Sequence, residues 1–273
     1  YDFYKKYFLD FLVYAVLFIV VIGFFNNINI FSDRYSGIIW NPNMLCSFTS
    51  IAFAILLLSK KQKNSFYFFI TIILFLVTIS TGSRGAVVAI TLVFLFKYGL
   101  TYRNFLYAII GLAFYFVIID FQIYTSINRF AASQGLFHDR LLQYQYAYQT
   151  LIQKPFTGFG LDKYAYINSD LIPDHLKMYN ISAHNGYLAI LTQYGVIVGS
   201  IILYIILSKS LTLFIYFRDN TNVEKTYLFI LCYALLASVY EALITGINEF
   251  HTILFWFSIA FLSYTRFNNQ NAI

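Results

Sequence analysis

Residues 195–217 read GVIVGSIILYIILSKSLTLFIYF, with Lys209 as the one charged residue. The block is long enough to cross the hydrocarbon core of a bilayer as a single helix. In the chain as a whole, 60% of the residues are apolar or aromatic and 11% are charged. Backbone amides that enter lipid must be paired within their own segment, so apolar blocks of this length form α-helices. The sequence therefore predicts an all-α, polytopic integral membrane protein.

Seven further apolar blocks bring the predicted total to about eight transmembrane helices. They lie at about residues 7–25, 43–58, 65–80, 85–100, 104–120, 227–247 and 252–265. The basic residues in and near the short loops fall on one side of this arrangement, which is predicted to be cytoplasmic. They are Lys5, Lys6, Lys60, Lys61, Lys63, Lys97, Arg103, Lys209, Arg218, Lys225 and Arg266. The opposite face receives a turn at residues 81–84 and a long segment at residues 121–194.

We expect a single membrane domain over residues 1–273, with the long segment 121–194 as its large external loop. Because the chain begins with Tyr1 rather than Met, we also expect it to be N-terminally incomplete. Within the loop, residues 139–153 predict an amphipathic helix on the outer membrane surface. Its predicted apolar face consists of Leu141, Tyr144, Tyr148, Leu151 and Ile152.

Several kinds of chemistry have no support in this sequence. It contains no Walker loop, HExxH, CxxC, GxGxxG or GxSxG motif. The net charge of +6 reflects membrane topology on a chain of this class, so no nucleic-acid partner is expected. His138, His175 and His251 lie near the predicted outer face, but their spacing matches no metal motif. We therefore predict neither a metal nor a cofactor.

Two arginines on the predicted outer face are candidates for binding an anion. Arg84 follows Thr81-Gly82-Ser83 and precedes Gly85-Ala86, and small neighbours let another group approach closely. A guanidinium binds phosphate oxygens through two parallel hydrogen bonds, but an arginine at the end of a span also serves as a membrane anchor. Arg140, at the start of the amphipathic helix, is either a second phosphate ligand or a solvated residue.

A histidine and a turn complete the set of candidates. His184 stands beside Asn185 where the outer loop returns to the membrane, and it is either a general base or an ordinary interfacial histidine. Arg34 precedes the turn Asn41-Pro42-Asn43, in which Asn43 is either the N-cap of the next helix or a substrate contact.

Together these segments resemble the O-antigen ligase and O-antigen polymerase superfamily. The resemblance extends over roughly residues 30–205 and depends on the order and shared outer face of its motifs. They are Arg34-Tyr-Ser-Gly37 with Asn41-Pro-Asn43, then Ser83-Arg84-Gly85-Ala86, then Arg140 with Pro155-Phe-Thr-Gly158-Phe-Gly160, and finally His184-Asn185-Gly186-Tyr-Leu with Gly195 and Gly199.

The resemblance implies a glycosyltransferase of the bacterial cytoplasmic (inner) membrane, with an active site that faces the periplasm or exterior. Its expected partners are an undecaprenyl-pyrophosphate-linked glycan, an acceptor glycan or lipid, and membrane lipids. Arg84 and Arg140 match arginines that hold the pyrophosphate in this family, and His184 matches the base. We predict that these three are catalytic and that four others bind substrate, namely Arg34, Asn43, Ser83 and Asn185.

Three functions fit this reading. A surface polysaccharide (O-antigen) polymerase is favoured over a ligase that transfers the glycan to lipid A core or another acceptor, because the outer loop is short for a ligase. A lipid-linked glycan transporter or flippase would use the same arginines without breaking a bond. Against transport, the chain shows no internal repeat, and its main acids within predicted spans are Asp10 and Glu241.

Overall fold

The computed structural model describes residues 2–26, 34–59, 64–99, 101–107, 109–111, 138–161, 184–220, 223–246 and 249–271, with the backbone alone at residues 84, 138–140 and 142. Over these residues the chain is helical and contains no strand, which confirms the all-α prediction. It forms two compact units, Tyr1–Leu136 with Asn220–Phe229, and Phe137–Asp219 with Ile230–Ile273.

The first unit is built around one central helix. Its helices are α1 (Asp2–Lys6), α2 (Phe8–Asn26), α3 (Pro42–Leu58), α4 (Ser65–Ser80) and α5 (Arg84–Tyr98), and residues 102–107 and 109–111 are also helical. Helix α3 packs against α2, α4 and α5, and every residue from Leu45 to Leu56 is buried. The hydroxyl of Thr78 donates to that of Thr49 at 2.9 Å, so a polar contact joins α3 to α4 within the core.

The starts of the helices in this unit follow ordinary capping chemistry. Asn41 is the N-cap of α3, its side chain accepts from the Asn43 N–H, and Pro42 fills the first helical position. The prediction of Asn43 as an N-cap is therefore wrong by two residues, because proline fits the first turn and moves the start of the helix towards the N-terminus. Ser83 caps α5 by accepting from the Gly85 N–H, which confirms the turn predicted there.

The second unit contains α6 (His138–Gln153), α7 (Gly186–Phe217) and α9 (Phe250–Asn271), together with the last part of α8 (Val223–Ala237). Both α6 and α9 pack against α7. Helix α7 begins nine residues before the predicted span at 195–217, since Asn185 caps it and the chain continues through a break at Gly195.

Two of the described helices, α2 and α7, are long and apolar enough to cross a membrane. Helices α3, α4 and the Gly85–Tyr98 part of α5 are apolar but shorter. All five coincide with predicted spans. The predicted span at 104–120 lies mostly outside the described residues. The total of eight spans, the single-domain assignment and the external placement of residues 121–194 stay predictions.

The span predicted at residues 227–247 is wrong in its second half. Helix α8 ends at Ala237, and residues 238–240 and 243–245 form turns. Hydropathy does not reveal this end because Val239, Ala242, Leu243 and Ile244 are as apolar as the helix before them. The acid Glu241 consequently lies in an irregular segment rather than inside a span.

The amphipathic helix predicted at 139–153 is present as α6. Of its predicted apolar face, Leu141, Tyr148 and Ile152 are exposed and Leu151 is buried. Tyr146, Ala147 and Thr150 are buried together with Leu151. The placement of the apolar face on the outer membrane surface stays a prediction. In lipid an apolar side chain gains little from leaving its solvent, and small residues let helices approach closely, so the face with Ala147 and Thr150 packs on the protein.

Candidate active site

Helix α7 breaks at Gly195, where φ is +75°, and the backbone of residues 155–160 fills the break. The Val196 N–H donates to the carbonyl of Pro155 at 2.6 Å instead of to its own helix. Two carbonyls that precede the break accept in return, Thr192 from Phe159 N–H at 3.0 Å and Gln193 from Gly160 N–H at 2.8 Å. The end of α6 is thereby joined to α7 by three backbone hydrogen bonds.

Two glycines make this junction possible. A Cβ atom on Gly195 would lie 2.2 Å from the Phe156 oxygen, and one on Gly158 would lie 2.3 Å from the Gln193 oxygen. Gly158 also has a positive φ of 65°, which side chains rarely adopt. The motif at residues 155–160 is therefore the piece that locks α6 onto the break in α7.

The first residues of α7 are tied to the C-terminal end of α8. The Asn185 side chain caps α7 by accepting from Tyr187 N–H and Leu188 N–H, and its own amide donates to the Val239 carbonyl at 2.9 Å. The Gly186 N–H donates to the Ser238 carbonyl at 2.8 Å, and the Tyr187 hydroxyl donates to Leu235 at 2.7 Å. These bonds satisfy carbonyls that the end of a helix otherwise leaves without partners.

His184 lies directly before this cap in a strained conformation, with φ at +39°. Its Nδ1 is 2.9 Å from Oε2 of Glu241, and the two side chains are 31% and 20% exposed. Because an ionised carboxylate only accepts hydrogen bonds, Nδ1 carries the proton of a neutral ring and Nε2 keeps its lone pair. A residue held in a strained position and oriented by a carboxylate has the arrangement of a general base.

Arg140 belongs to the same unit as His184. It is the third residue of α6, one turn before Tyr144. The Tyr144 hydroxyl donates to the Val239 carbonyl, which also accepts from Asn185. The second turn of α6, which contains Tyr144, is therefore anchored to the segment that holds the start of α7.

In the first unit, Arg34 links the loop before α3 to the turn between α4 and α5. Its Nε donates to the Thr81 carbonyl at 3.2 Å and its Nη2 donates to Asn43 Oδ1 at 2.5 Å. Thr81 is the C-cap of α4 and Ser83 is the N-cap of α5, so Arg34 braces the turn that precedes Arg84. Arg34 is thus in contact with Asn43, and Ser83 lies in the turn that Arg34 braces. The predicted role of these three residues in binding substrate stays a prediction.

The other predicted histidines do not form a cluster in the described part of the chain. His251 Nε2 pairs with Glu249 Oε2 at 2.8 Å, and His175 lies outside the described residues. No group of three His, Cys, Asp or Glu among residues that the structure describes is placed to hold a metal ion.

Sequence reasoning missed the contact of Glu241 with His184 and treated Glu241 as an acid within a span. One signal was present, since an ionisable residue in an apolar segment is a candidate for a functional site. Its partner was not evident, because 56 residues separate it from His184 in the sequence.

The fold and this site define a helical membrane protein that carries a histidine–carboxylate pair at the start of a long apolar helix. The family model of the O-antigen ligase matches residues 68–204, half of the chain. The chain therefore belongs to the O-antigen ligase family, which confirms the resemblance noted from the motifs. The match includes Arg84, Arg140 and His184. Glu241 lies outside it.

Members of this family are glycosyl-transfer enzymes, ligases and polymerases, that act on lipid-linked glycans. They are integral proteins of the bacterial inner membrane. The comparison with curated proteins gives no match for this chain.

Proposed function

We propose that this chain transfers a glycan from undecaprenyl pyrophosphate to the hydroxyl of an acceptor, as a polymerase of surface polysaccharide. The observation that carries the proposal is the pair of His184 and Glu241, held by the strained backbone before α7. A binding site for transport alone has no use for a base oriented in this way.

In the proposed reaction the acceptor oxygen attacks the anomeric carbon of the donor. The bond from that carbon to the pyrophosphate oxygen breaks, its electron pair leaves with the pyrophosphate, and the acceptor proton passes to Nε2 of His184. Glu241 keeps the ring in the required tautomer and stabilises its positive charge.

The leaving group gains negative charge as the bond breaks, and fixed cations stabilise that charge in a site of low dielectric. Arg84 and Arg140 are the proposed pyrophosphate ligands. Each lies in the first turn of a helix, α5 or α6, where the helix dipole also favours an anion. The proposed reaction requires no metal and no cofactor.

The decisive experiment supplies the full chain in detergent with an undecaprenyl-pyrophosphate-linked glycan and measures cleavage of the donor linkage. Transfer requires cleavage without a sealed membrane, whereas a flippase leaves the linkage intact. With no other acceptor present, a polymerase also lengthens the glycan. Cleavage that occurs only after lipid A core or another acceptor is added would identify a ligase instead.

A further inference from the structure

A groove of about 600 Å³ runs along α5 in the first unit. Its wall on α5 consists of positions one and four residues apart, which form a continuous stripe along a helix. These are Ala86, Val87, Ile90, Thr91, Phe94, Leu95 and Tyr98. Phe75 and Ile79 of α4 and three positions within residues 104–111 complete the lining.

The lining of this groove suits a hydrocarbon chain rather than a sugar. No charged residue belongs to it, and its polar groups are those of Thr91, Asn104 and two tyrosines. The Asn104 amide already donates to the carbonyls of Tyr98 and Gly99 at 2.8 Å and 2.9 Å. A glycan in this place would lose hydrogen bonds to water without gaining enough partners, whereas an apolar chain loses none.

The position of the groove relates it to the proposed pyrophosphate site. It begins at Ala86, two residues after Arg84, in the first turn of α5. Tyr98 is twelve positions after Ala86, so at a rise of 1.5 Å per residue the groove follows the helix for about 18 Å. An amphiphile with its anionic head at the start of α5 would enter this groove with the first part of its tail.

We propose that the groove binds the isoprene units of the donor nearest to the pyrophosphate. This inference rests on the proposed function, which supplies a donor with both parts. Four carbon–carbon bonds of about 1.5 Å let an isoprene unit extend roughly 5 Å, so about three to four units fill the groove. Donor affinity is then set by those first units, and the remaining units stay in lipid. Phospholipid acyl chains lack the pyrophosphate that fixes the entry point.

A photoreactive probe tests binding separately from transfer. The probe is a polyprenyl pyrophosphate without a glycan, with four isoprene units and a diazirine on the third. Irradiation with the full chain in detergent is expected to label residues within 86–98 or 104–111. Unlabelled tetraprenyl pyrophosphate should compete at least tenfold better than phosphatidylglycerol.

Two tryptophan variants provide the matched comparison. Val87→Trp fills the groove and should reduce labelling at least tenfold, while Ile72→Trp, at an exposed apolar position of α4 outside the groove, should leave it unchanged. Labels mapped elsewhere on the wild-type chain, or equal competition by phosphatidylglycerol, overturn the groove assignment whether or not the variants fold. Groove labelling by a wild-type chain that never cleaves the donor would instead remove the proposed function and leave the binding site standing.

Discussion

In the proposed reaction the imidazole of His184 accepts one proton from the acceptor hydroxyl. Substitution of His184 distinguishes this role as a base from a role in positioning the substrate. His184→Ala should lose roughly 10²- to 10⁴-fold in rate, the usual contribution of a general base. His184→Gln keeps polarity and approximate size but is a far weaker base, so it should be nearly as slow. Single-turnover rates measure the loss, and donor binding should survive. Near-normal turnover in the Gln variant would leave His184 a positioning residue only.

Glu241 acts through His184 rather than on the substrate. Glu241→Gln keeps the size of the side chain but removes its charge, so the histidine loses its fixed tautomer and the stabilisation of its imidazolium. We expect kcat to fall by roughly 10²-fold, the usual cost of misplacing a catalytic group, with little change in KM. Glu241→Asp, which keeps the charge, should recover part of the rate. A kcat loss in Glu241→Gln that persists in the absence of His184 would show that the pair does not act as a unit.

Arg84 tests whether the anion site needs the planar guanidinium. Arg84→Lys keeps the charge but loses the fork that binds two phosphate oxygens, so KM for the donor should rise and the rate should fall. Arg218→Lys is the matched control, since Arg218 is exposed and pairs with Asp219 beside it. Arg84→Ala with full activity and normal insertion would return Arg84 to the role of a membrane anchor.

At the scale of elements, the junction between α6 and α7 depends on a backbone contact that tolerates no side chain. Gly195→Ala adds a Cβ 2.2 Å from the Phe156 oxygen in a residue with φ of +75°. Gly160→Ala is the matched variant, because Gly160 has φ of +78° but no atom within 4 Å of an added Cβ.

Both alanine variants carry the conformational cost, of about 1–3 kcal/mol, and only Gly195→Ala also carries the clash. The thermal midpoint in detergent should therefore fall further for Gly195→Ala than for Gly160→Ala. Activity of Gly195→Ala should fall with it, because α7 carries His184 and Asn185 at its start. Equal thermal midpoints for the two variants would show that the backbone at the junction shifts to accommodate the added Cβ without loss of stability.

At the scale of the whole molecule, the distribution of Lys and Arg predicts the orientation in the membrane. Reporter tags after residues 63 and 222 should be cytoplasmic, and a tag near residue 165 should be external. Accessibility to a membrane-impermeant reagent measures both. A cytoplasmic tag at residue 165 would place the start of α7 on the wrong side for a lipid-linked glycan presented outside, and it would contradict the proposed function as well as the topology.

The sequence by itself determined the helical class, the places of α2 to α5 and the family. Apolar blocks specify helices in lipid because no other local structure pairs their backbone groups. The motifs indicated the family because residues such as Arg84, His184 and Gly195 lie at helix starts and at a helix break, which short sequence patterns can mark. Length and hydropathy also indicated which blocks are membrane spans, since both depend on composition alone.

Only the tertiary structure decided which groups meet. Hydropathy measures partition between water and lipid. It therefore did not predict which face of α6 packs on α7, nor that α8 ends at Ala237. The partnership of His184 with Glu241 depends on bonds from Asn185, Gly186 and Tyr187 to carbonyls some 50 residues away. Every residue has a backbone carbonyl, so no sequence pattern shows which carbonyls accept these bonds. The pairing of His184 with Glu241 forms only when the helices pack.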